Sequence, residues 1–273
     1  MTTLSPVTGV GGLLREWRLR RRLSQLELAV EAEVSARHLS FVETGRSRPS
    51  RELILHLAEH LEVPLRERNA LLVAAGYAPV YRNTPLDAEE MGPVRAALDT
   101  LLAGHEPFPA LVVDRRWDLV SANRPAMALL TAGVDPALLE PPVNTLRVCL
   151  HPDGLAPRIV NLDEYSAHLL ERLHRLTVAS ADAELVVLHD ELRRYPGVCD
   201  EPSIPTDAAA MLFVPLVLDA GDGRTLRFFS TLTTFGTALD ITIAELAIES
   251  FFPADDDTAE ALRDAWEAAT ATS

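Results

Sequence analysis

Arginine and small polar residues are concentrated between Ser35 and Arg51, where their types and spacing suit contact with DNA. The planar guanidinium of arginine offers paired donors that match phosphate oxygens and the edge of guanine. Gln25 stands where a side-chain amide and the N–H groups of a helix start can hold a phosphate. The residues predicted to contact DNA are Gln25, Ser35, Ala36, Arg37, Ser40, Phe41, Arg46, Ser47, Arg48 and Arg51.

Two short helices must position these side chains. Ser24 is predicted to cap the first helix, with Glu27 completing a capping box, and Ser35 is predicted to cap the second. A pair of helices packed at a fixed angle needs a small residue at the crossing, an apolar residue in the turn and apolar residues on the inner face of the second helix. These four positions are filled by Ala29, Val34, Leu39 and Val42. Residues 1–80 are predicted to form five helices in all.

The segment "LSQLELAVEAEVSARHLSFVETGRSRPSRELILHLAEHLEV" resembles the phage-repressor and XRE class of helix-turn-helix proteins. The resemblance implies an all-α DNA-binding domain whose second motif helix enters the major groove, usually as a homodimer. The family usually has glycine in the turn, where this chain has Glu33, so Glu33 is expected to adopt a left-handed or adjusted backbone. The alternative is an amphipathic helical bundle with arginine on its solvated face.

Charge is distributed unevenly along the chain. The net charge of -15 argues against binding a polyanion. Residues 1–80, however, hold 11 Arg against 9 acidic residues, a net of +2, whereas residues 81–273 hold 14 Arg against 31 acidic residues, a net of -17. The chain therefore combines a basic head with an acidic body, and any DNA contact is expected in the head.

The body has a different pattern from the head. Residues 81–93 are predicted to be a linker, and residues 94–273 a second domain of α+β class with an antiparallel sheet. "PALVVDRRWDLVSAN" is predicted to be a hairpin, and "LDEYSAHLLERLHRLTVA" and "DAELVVLHDELRRY" are predicted to be amphipathic helices. Three further runs are predicted to be strands, namely "MLFVPLVLDA", "TLRFFSTLTTFG" and "IAELAIESFF".

Two pieces of the body carry a second resemblance. "FPALVVDRRWDLVSANRPAMALL" resembles the opening of a PAS-like sensor domain, and "FGTALDITIAELAIESFFPADDDTAEAL" resembles the end of the MmyB-like ligand-binding domain found behind XRE heads. That resemblance implies a PAS-related fold that binds fatty-acid-like or other apolar small molecules. The candidate ligand-binding residues are Phe108, Trp117, Phe213, Phe229 and Leu232 as walls, and Arg147, His151 and Tyr165 as polar anchors. The alternative for each of them, which residue type alone favours, is an ordinary core or surface residue.

Other classes of function find little support in the sequence. There is no GxSxG elbow, phosphate loop or dinucleotide motif, so no enzyme activity and no cofactor are predicted. "HLAEH" at His56–His60 fits a zinc-binding pattern, but without a third ligand nearby no metal is predicted. Cys149 and Cys199 lack CxxC spacing and are expected to be free thiols.

The sequence therefore predicts a cytoplasmic, homodimeric transcription regulator that binds operator DNA and an apolar small molecule. No apolar run reaches the roughly 18 residues that span a membrane. Two alternatives remain for the body: a module that only dimerises or binds other proteins, and an antitoxin-like region that masks a partner.

Overall fold

The computed structural model describes residues 9–201, 214–221 and 223–271. They form two compact units. The first extends to Thr84 and also contains residues 178–180 and 237–244, and the second contains the remaining described residues. Within the first unit, the hydroxyl of Thr84 donates a 2.7 Å hydrogen bond to the carboxylate of Asp240.

Five helices build the N-terminal part of the first unit. They are α1 (Val10–Arg20), α2 (Gln25–Glu31), α3 (Ala36–Glu43), α4 (Arg51–His60) and α5 (Leu65–Ala74). Ser24, Ser35 and Ser50 each precede a helix and accept a hydrogen bond from the backbone N–H three residues later. Ser24 and Glu27 complete the predicted capping box. The helix starts therefore follow from local hydrogen bonding, because a capping hydroxyl satisfies one of the N–H groups that the first turn leaves unpaired.

The core of the first unit lies between all five helices. Leu14 and Trp17 of α1 meet Leu39 and Val42 of α3 there. The close approach of α1 to α3 requires Gly11, since a Cβ atom at that position would lie 2.1 Å from the carbonyl oxygen of Val42. This packing fixes α3 by its inner face and leaves its outer face open.

The second unit begins with α6 (Gly92–His105) and a hairpin of β1 (Ala110–Val113) and β2 (Leu119–Ala122). Four helices follow: α7 (Arg124–Thr131), α8 (Thr145–Leu150), α9 (Leu162–Ser180) and α10 (Ala183–Leu192). The chain continues with β3 (Leu216–Asp219), β4 (Thr225–Thr234), the short α11 (Ile241–Ala244), β5 (Ala247–Pro253) and α12 (Asp256–Ala271). Helix α11 and the last turn of α9 fall in the first unit.

One antiparallel sheet organises the second unit, with strand order β2-β1-β5-β4-β3. Leu111 and Val113 of β1 face the larger core, which packs under α7–α10, whereas Ala110 and Val112 face a smaller core with α6. Both faces of β1 are thus covered, which explains its continuous apolar run, since a strand exposed on one face alternates. The predicted fold class, an all-α domain followed by an α+β domain with an antiparallel sheet, is confirmed.

Two details differ from the sequence-based expectation, and part of a third lies outside the described residues. The run "IAELAIESFF" is not one strand, because its first two residues end α11 and β5 begins only at Ala247. The first three residues of "MLFVPLVLDA", including Phe213, lie outside the described residues, and its described strand is Leu216–Asp219. Helix α8 was not predicted, since six residues give too short a window for a helical period to show.

Candidate nucleic-acid interface and apolar cavity

The outer face of α3 carries the predicted base-reading side chains. Leu39 and Val42 are buried on its inner face, whereas Arg37 is exposed and Ser40 and Phe41 are half-buried. The guanidinium carbon of Arg37 lies 5.4 Å from the centre of the Phe41 ring, so the aromatic ring supports the charged group. Ser35 caps the helix, and half-buried Ala36 begins it.

The segment after α3 turns back on the helix and exposes two arginines. The backbone N–H groups of Arg46 and Ser47 both donate to the carbonyl of Phe41, at 2.8 and 3.1 Å. Gly45 makes this turn with a φ of +72°, a left-handed conformation that glycine adopts without strain. Arg46 and Arg51, the first residue of α4, are exposed, and neither side chain forms a hydrogen bond or salt bridge in the part of the chain that the structure describes.

Arg48 is held differently from its neighbours. Its Nη2 donates a 2.7 Å hydrogen bond to the carbonyl of Ala75, and its guanidinium lies 5.3 Å from the centre of the Tyr77 ring. The predicted phosphate contact by Arg48 therefore competes with a bond that ties the loop after α3 to the end of α5.

Gln25 belongs to a buried network between α1, α2 and α3. Its amide nitrogen donates to Oε2 of Glu43 at 2.7 Å, and Arg18 donates to both carboxylate oxygens of Glu43 at 2.7 and 2.8 Å. Burial raises the pKa of Glu43, but the hydrogen bonds from Arg18 and Gln25 and the positive charges of Arg18 and Arg15 outweigh burial and leave that pKa below its usual value. The network holds Glu43 ionised and locks α3 to the two helices before it.

The turn between α2 and α3 has the predicted backbone. Glu33 has a φ of 52°, in the left-handed region that favours glycine. Its side chain is exposed, so the strain is confined to the backbone.

The two histidines of the zinc-like pattern in α4 make packing and hydrogen-bonding contacts within the first unit. Nε2 of His56 lies 2.7 Å from the carbonyl oxygen of Ala32, and the His56 and His60 rings meet edge to face with centres 4.7 Å apart. Among the described residues there is no group of three or more His, Cys, Asp or Glu placed to share a metal ion.

The second unit contains an apolar cavity between the sheet and helices α7, α8 and α9. Most of its wall is aliphatic or aromatic, and its polar members are Thr145, Cys149, Tyr165, Arg172 and Glu249. The part of the cavity in which the centre of a water-sized sphere fits has a volume of about 60 Å³. Since roughly 10–15 Å³ suffices for one water molecule, the cavity has room for several water-sized groups.

Arg172 and Glu249 form the charged part of this wall. Nη1 of Arg172 donates to Oε1 of Glu249 at 2.9 Å, and the guanidinium lies 4.2 Å from the centre of the Trp117 ring. The hydroxyl of Ser230 donates to the same carboxylate oxygen at 3.1 Å. The ion pair is thus shielded from water on one side by an aromatic face and anchored on β4 through Ser230.

Two of the remaining polar groups in the wall are a thiol and a phenol, and both are neutral. Burial raises the pKa of the Cys149 thiol to about 12 and raises the pKa of Tyr165 well above its usual value, and the charge of Glu249 adds to both shifts. Both groups are therefore protonated at neutral pH, so Cys149 is not a thiolate nucleophile.

Comparison with known families divides the chain between residues 71 and 94, a range that contains the end of the first unit's main segment at Thr84. Residues 10–71 match the family model of a helix-turn-helix domain. Residues 94–265 match the model of the MmyB-like transcription regulator ligand binding domain, which is more than half of the chain. The chain belongs to the MmyB-like transcription regulators. Both families are regulatory rather than enzymatic, and together they make this protein a ligand-regulated, DNA-binding transcription regulator.

Similarity to individual proteins is low. No curated protein matches this MmyB-like regulator significantly. A solved structure entitled "Structure of an RNA-binding Light-Oxygen-Voltage Receptor" is 13% identical over 99% of the regulator and 64% of its own length, with a TM-score of 0.27. The regulator thus spans about two thirds of that protein, and a likeness this distant carries no argument about function.

The candidate ligand residues of the MmyB-like regulator are dispersed. Tyr165 lines the cavity, and Trp117 packs behind it against Arg172. Arg147 is paired with Glu191 through hydrogen bonds of 2.7 and 2.8 Å, away from the cavity. The others lie elsewhere: His151 packs on Tyr195, Phe229 stacks on Phe252, Phe108 packs at the edge of the larger core, and Leu232 is exposed.

Four polar cavity residues of the regulator were missed by sequence reasoning, namely Thr145, Cys149, Arg172 and Glu249. Glu249 had a usable signal, because it is a charge in the apolar run of β5 at a position that shares a face with inward-facing Ala247 and Phe251. Arg172 follows Tyr165 by seven residues, or about two turns, which places both on one face of α9.

The regulator has no described helix that is long and apolar enough to cross a membrane. Cys149 and Cys199 are both free thiols, as expected from their spacing.

Proposed function

We propose that this regulator binds an operator as a homodimer in the cytoplasm, and that an apolar, fatty-acid-like molecule in its PAS-like C-terminal domain controls that binding. In this proposal α3 enters the major groove, where Arg37, Ser40 and Phe41 meet base edges. Arg46, Ser47 and Arg51 contact the sugar-phosphate backbone. Gln25 and Arg48, which are hydrogen-bonded within the first unit, position these groups.

The apolar cavity is the observation that carries the ligand part of the proposal. A space between sheet and helices, lined by apolar side chains with a few polar groups, is the usual form of a small-molecule site. A ligand that prefers one arrangement of the dimer shifts the population toward it. Because a dimer reads two half-sites about one helical turn apart, its DNA affinity is sensitive to that arrangement.

Native mass spectrometry of the purified full chain tests the ligand site directly. We expect a dimer mass with a bound apolar compound that is released on denaturation. Ala126 lines the cavity and is buried, whereas Ala97 on α6 is exposed and lies outside the cavity wall. The variant A126L fills the cavity and should lose the compound, and the control A97L should retain it.

The opposite result would favour the interaction-module alternative. A dimer that retains nothing, and whose DNA binding is the same in A126L and in the parent protein, would show that the cavity does not control the regulator. A monomer on operator DNA would contradict the homodimer.

A further inference from the structure

The charged part of the cavity wall is electrically balanced. Arg172 and Glu249 are the charged residues among those described in the wall, and they are paired at 2.9 Å. Their side chains are only 17% and 7% exposed, so water screens them little. A ligand therefore meets neither a net positive nor a net negative wall.

The same wall contains hydrogen-bond donors and an acceptor that have no partner among the described residues. Arg172 donates through Nη1 alone, and Glu249 accepts through Oε1 alone, within the described part of the chain. The remaining N–H groups of Arg172 and Oε2 of Glu249 make no hydrogen bond there. The hydroxyl of Tyr165 likewise has no described partner, although the residue is only 6% exposed. None of these atoms is fully enclosed by protein, so each can be satisfied by water or by a ligand that occupies the cavity.

A free carboxylate fits this arrangement poorly. It would either face the carboxylate of Glu249 in a poorly screened space or displace it from Arg172 and leave it buried without its partner. An ammonium group would meet Arg172 in the same way. A neutral polar end with an acceptor and a donor satisfies Arg172 and Glu249 together and leaves their ion pair intact.

We infer that the ligand of this cavity is a neutral molecule with an apolar chain, whose polar end both accepts and donates hydrogen bonds, as an amide or an alcohol does, rather than a free fatty acid. This inference rests on the proposed function, namely that the cavity holds an apolar ligand. The acyl-like chain of that proposal is kept, and the inference assigns its polar end: the acceptor to Arg172 and the donor to Glu249 or Tyr165.

Octanamide and octanoate test the inference, because they have nearly the same shape and differ in charge at neutral pH. Both compounds are titrated into the full chain by calorimetry, and the titrations are repeated with dodecanamide and dodecanoate. The amide of each pair should bind at least about tenfold more tightly, a difference of about 1.4 kcal/mol in binding free energy. Equal or tighter binding of the carboxylate would overturn the inference and leave the proposed function standing. Binding of none of the four compounds would overturn both.

The variant E249Q tests the cause of the preference. Removing the negative charge leaves Arg172 to attract an anion, so octanoate should gain at least about tenfold relative to octanamide. The control D200N removes a carboxylate from the exposed Arg193–Asp200 pair, outside the cavity, and should keep the original preference. An unchanged preference in folded E249Q would contradict the assigned role of Glu249. If E249Q does not fold, the comparison of the two compounds on the parent protein decides the inference alone.

Discussion

At the scale of single residues, exposure and partners separate the arginines near α3 into different roles. Arg37 projects from the outer face of the helix beside Phe41, whereas Arg48 is bonded to the end of α5. A guanidinium on the outer face can form a bidentate contact with one guanine, which makes its effect depend on sequence. An arginine bonded within the protein contributes mainly to the shape of the surface.

Arg37→Ala should relax the choice of base at one position of the operator. We expect the loss of about 1–3 kcal/mol of discrimination there, with a much smaller loss on unrelated DNA. Titrations against an operator selected from random DNA, and against its single-base variants, measure this. The control Arg263→Ala removes an exposed arginine from α12 and should change neither value. Equal weakening on all DNA would reject a base-reading role for Arg37.

Glu43→Gln should destabilise the protein strongly. Removing the charge leaves Arg18 buried without its ionic partner, and breaking a buried pair in this way typically costs about 3–5 kcal/mol. Denaturant unfolding measures the loss. The control D200N, which breaks an exposed pair, should cost less than about 1 kcal/mol. Similar values for the two variants would show that the network is not a stabilising element.

The same carboxylate predicts a pH dependence of stability. The pKa of Glu43 is lower in the folded state than in the unfolded chain, because Arg18 and Gln25 outweigh the effect of burial. Its stabilising contribution is therefore complete above the unfolded pKa, about 4.3, and is lost as the pH falls through the lower folded pKa. Denaturant unfolding at a series of pH values from neutral to acid measures this. Acidification should lower the free energy of unfolding less in Glu43→Gln than in the parent protein. Equal losses would contradict this account.

At the scale of elements, the turn between α2 and α3 retains a strained residue. Glu33 adopts a φ of 52°, where a side chain costs roughly 1–2 kcal/mol that glycine avoids. Glycine loses part of this advantage through the greater freedom of the unfolded chain. Glu33→Gly should therefore stabilise the protein by about 0.5–1 kcal/mol in denaturant unfolding.

A matched substitution distinguishes this effect from a general one. Glu16 is also exposed but lies inside α1, where glycine is expected to cost about 1 kcal/mol. We therefore expect Glu33→Gly to raise the free energy of unfolding and Glu16→Gly to lower it. Destabilisation by both variants would mean that the turn is not strained.

At the scale of the whole molecule, DNA binding depends on where the charge lies rather than on its total. The chain has a net charge of -15 at neutral pH, yet exposed arginines are concentrated in and next to α3. Phosphate contacts release counterions, so affinity should fall steeply with salt despite the acidic body.

Arg46→Ala should reduce the slope of log affinity against log salt by about 1 for each bound subunit, and so by about 2 for a dimer. It should weaken binding to all DNA sequences alike, in contrast to Arg37→Ala. Titrations between roughly 50 and 200 mM salt measure the slope, with Arg263→Ala as the control. An unchanged slope in Arg46→Ala would remove Arg46 from the phosphate contacts.

The sequence by itself determined the helix-turn-helix unit, the left-handed Glu33 and the free cysteines. Capping serines, a turn of fixed length and apolar residues one helical turn apart act over a few neighbouring positions, so the sequence displays them directly. It also indicated an antiparallel sheet, because alternation and tight turns are local as well.

Only the tertiary structure decided which residues line the cavity. Arg172 and Glu249 are 77 positions apart, and they meet because β5 pairs between β1 and β4 while α9 packs over that face. Arg147 and His151, equally polar in the sequence, are directed to Glu191 and Tyr195 instead. Long-range packing of this kind leaves no periodic signal along the chain, because each residue satisfies its local element whether or not it faces the cavity.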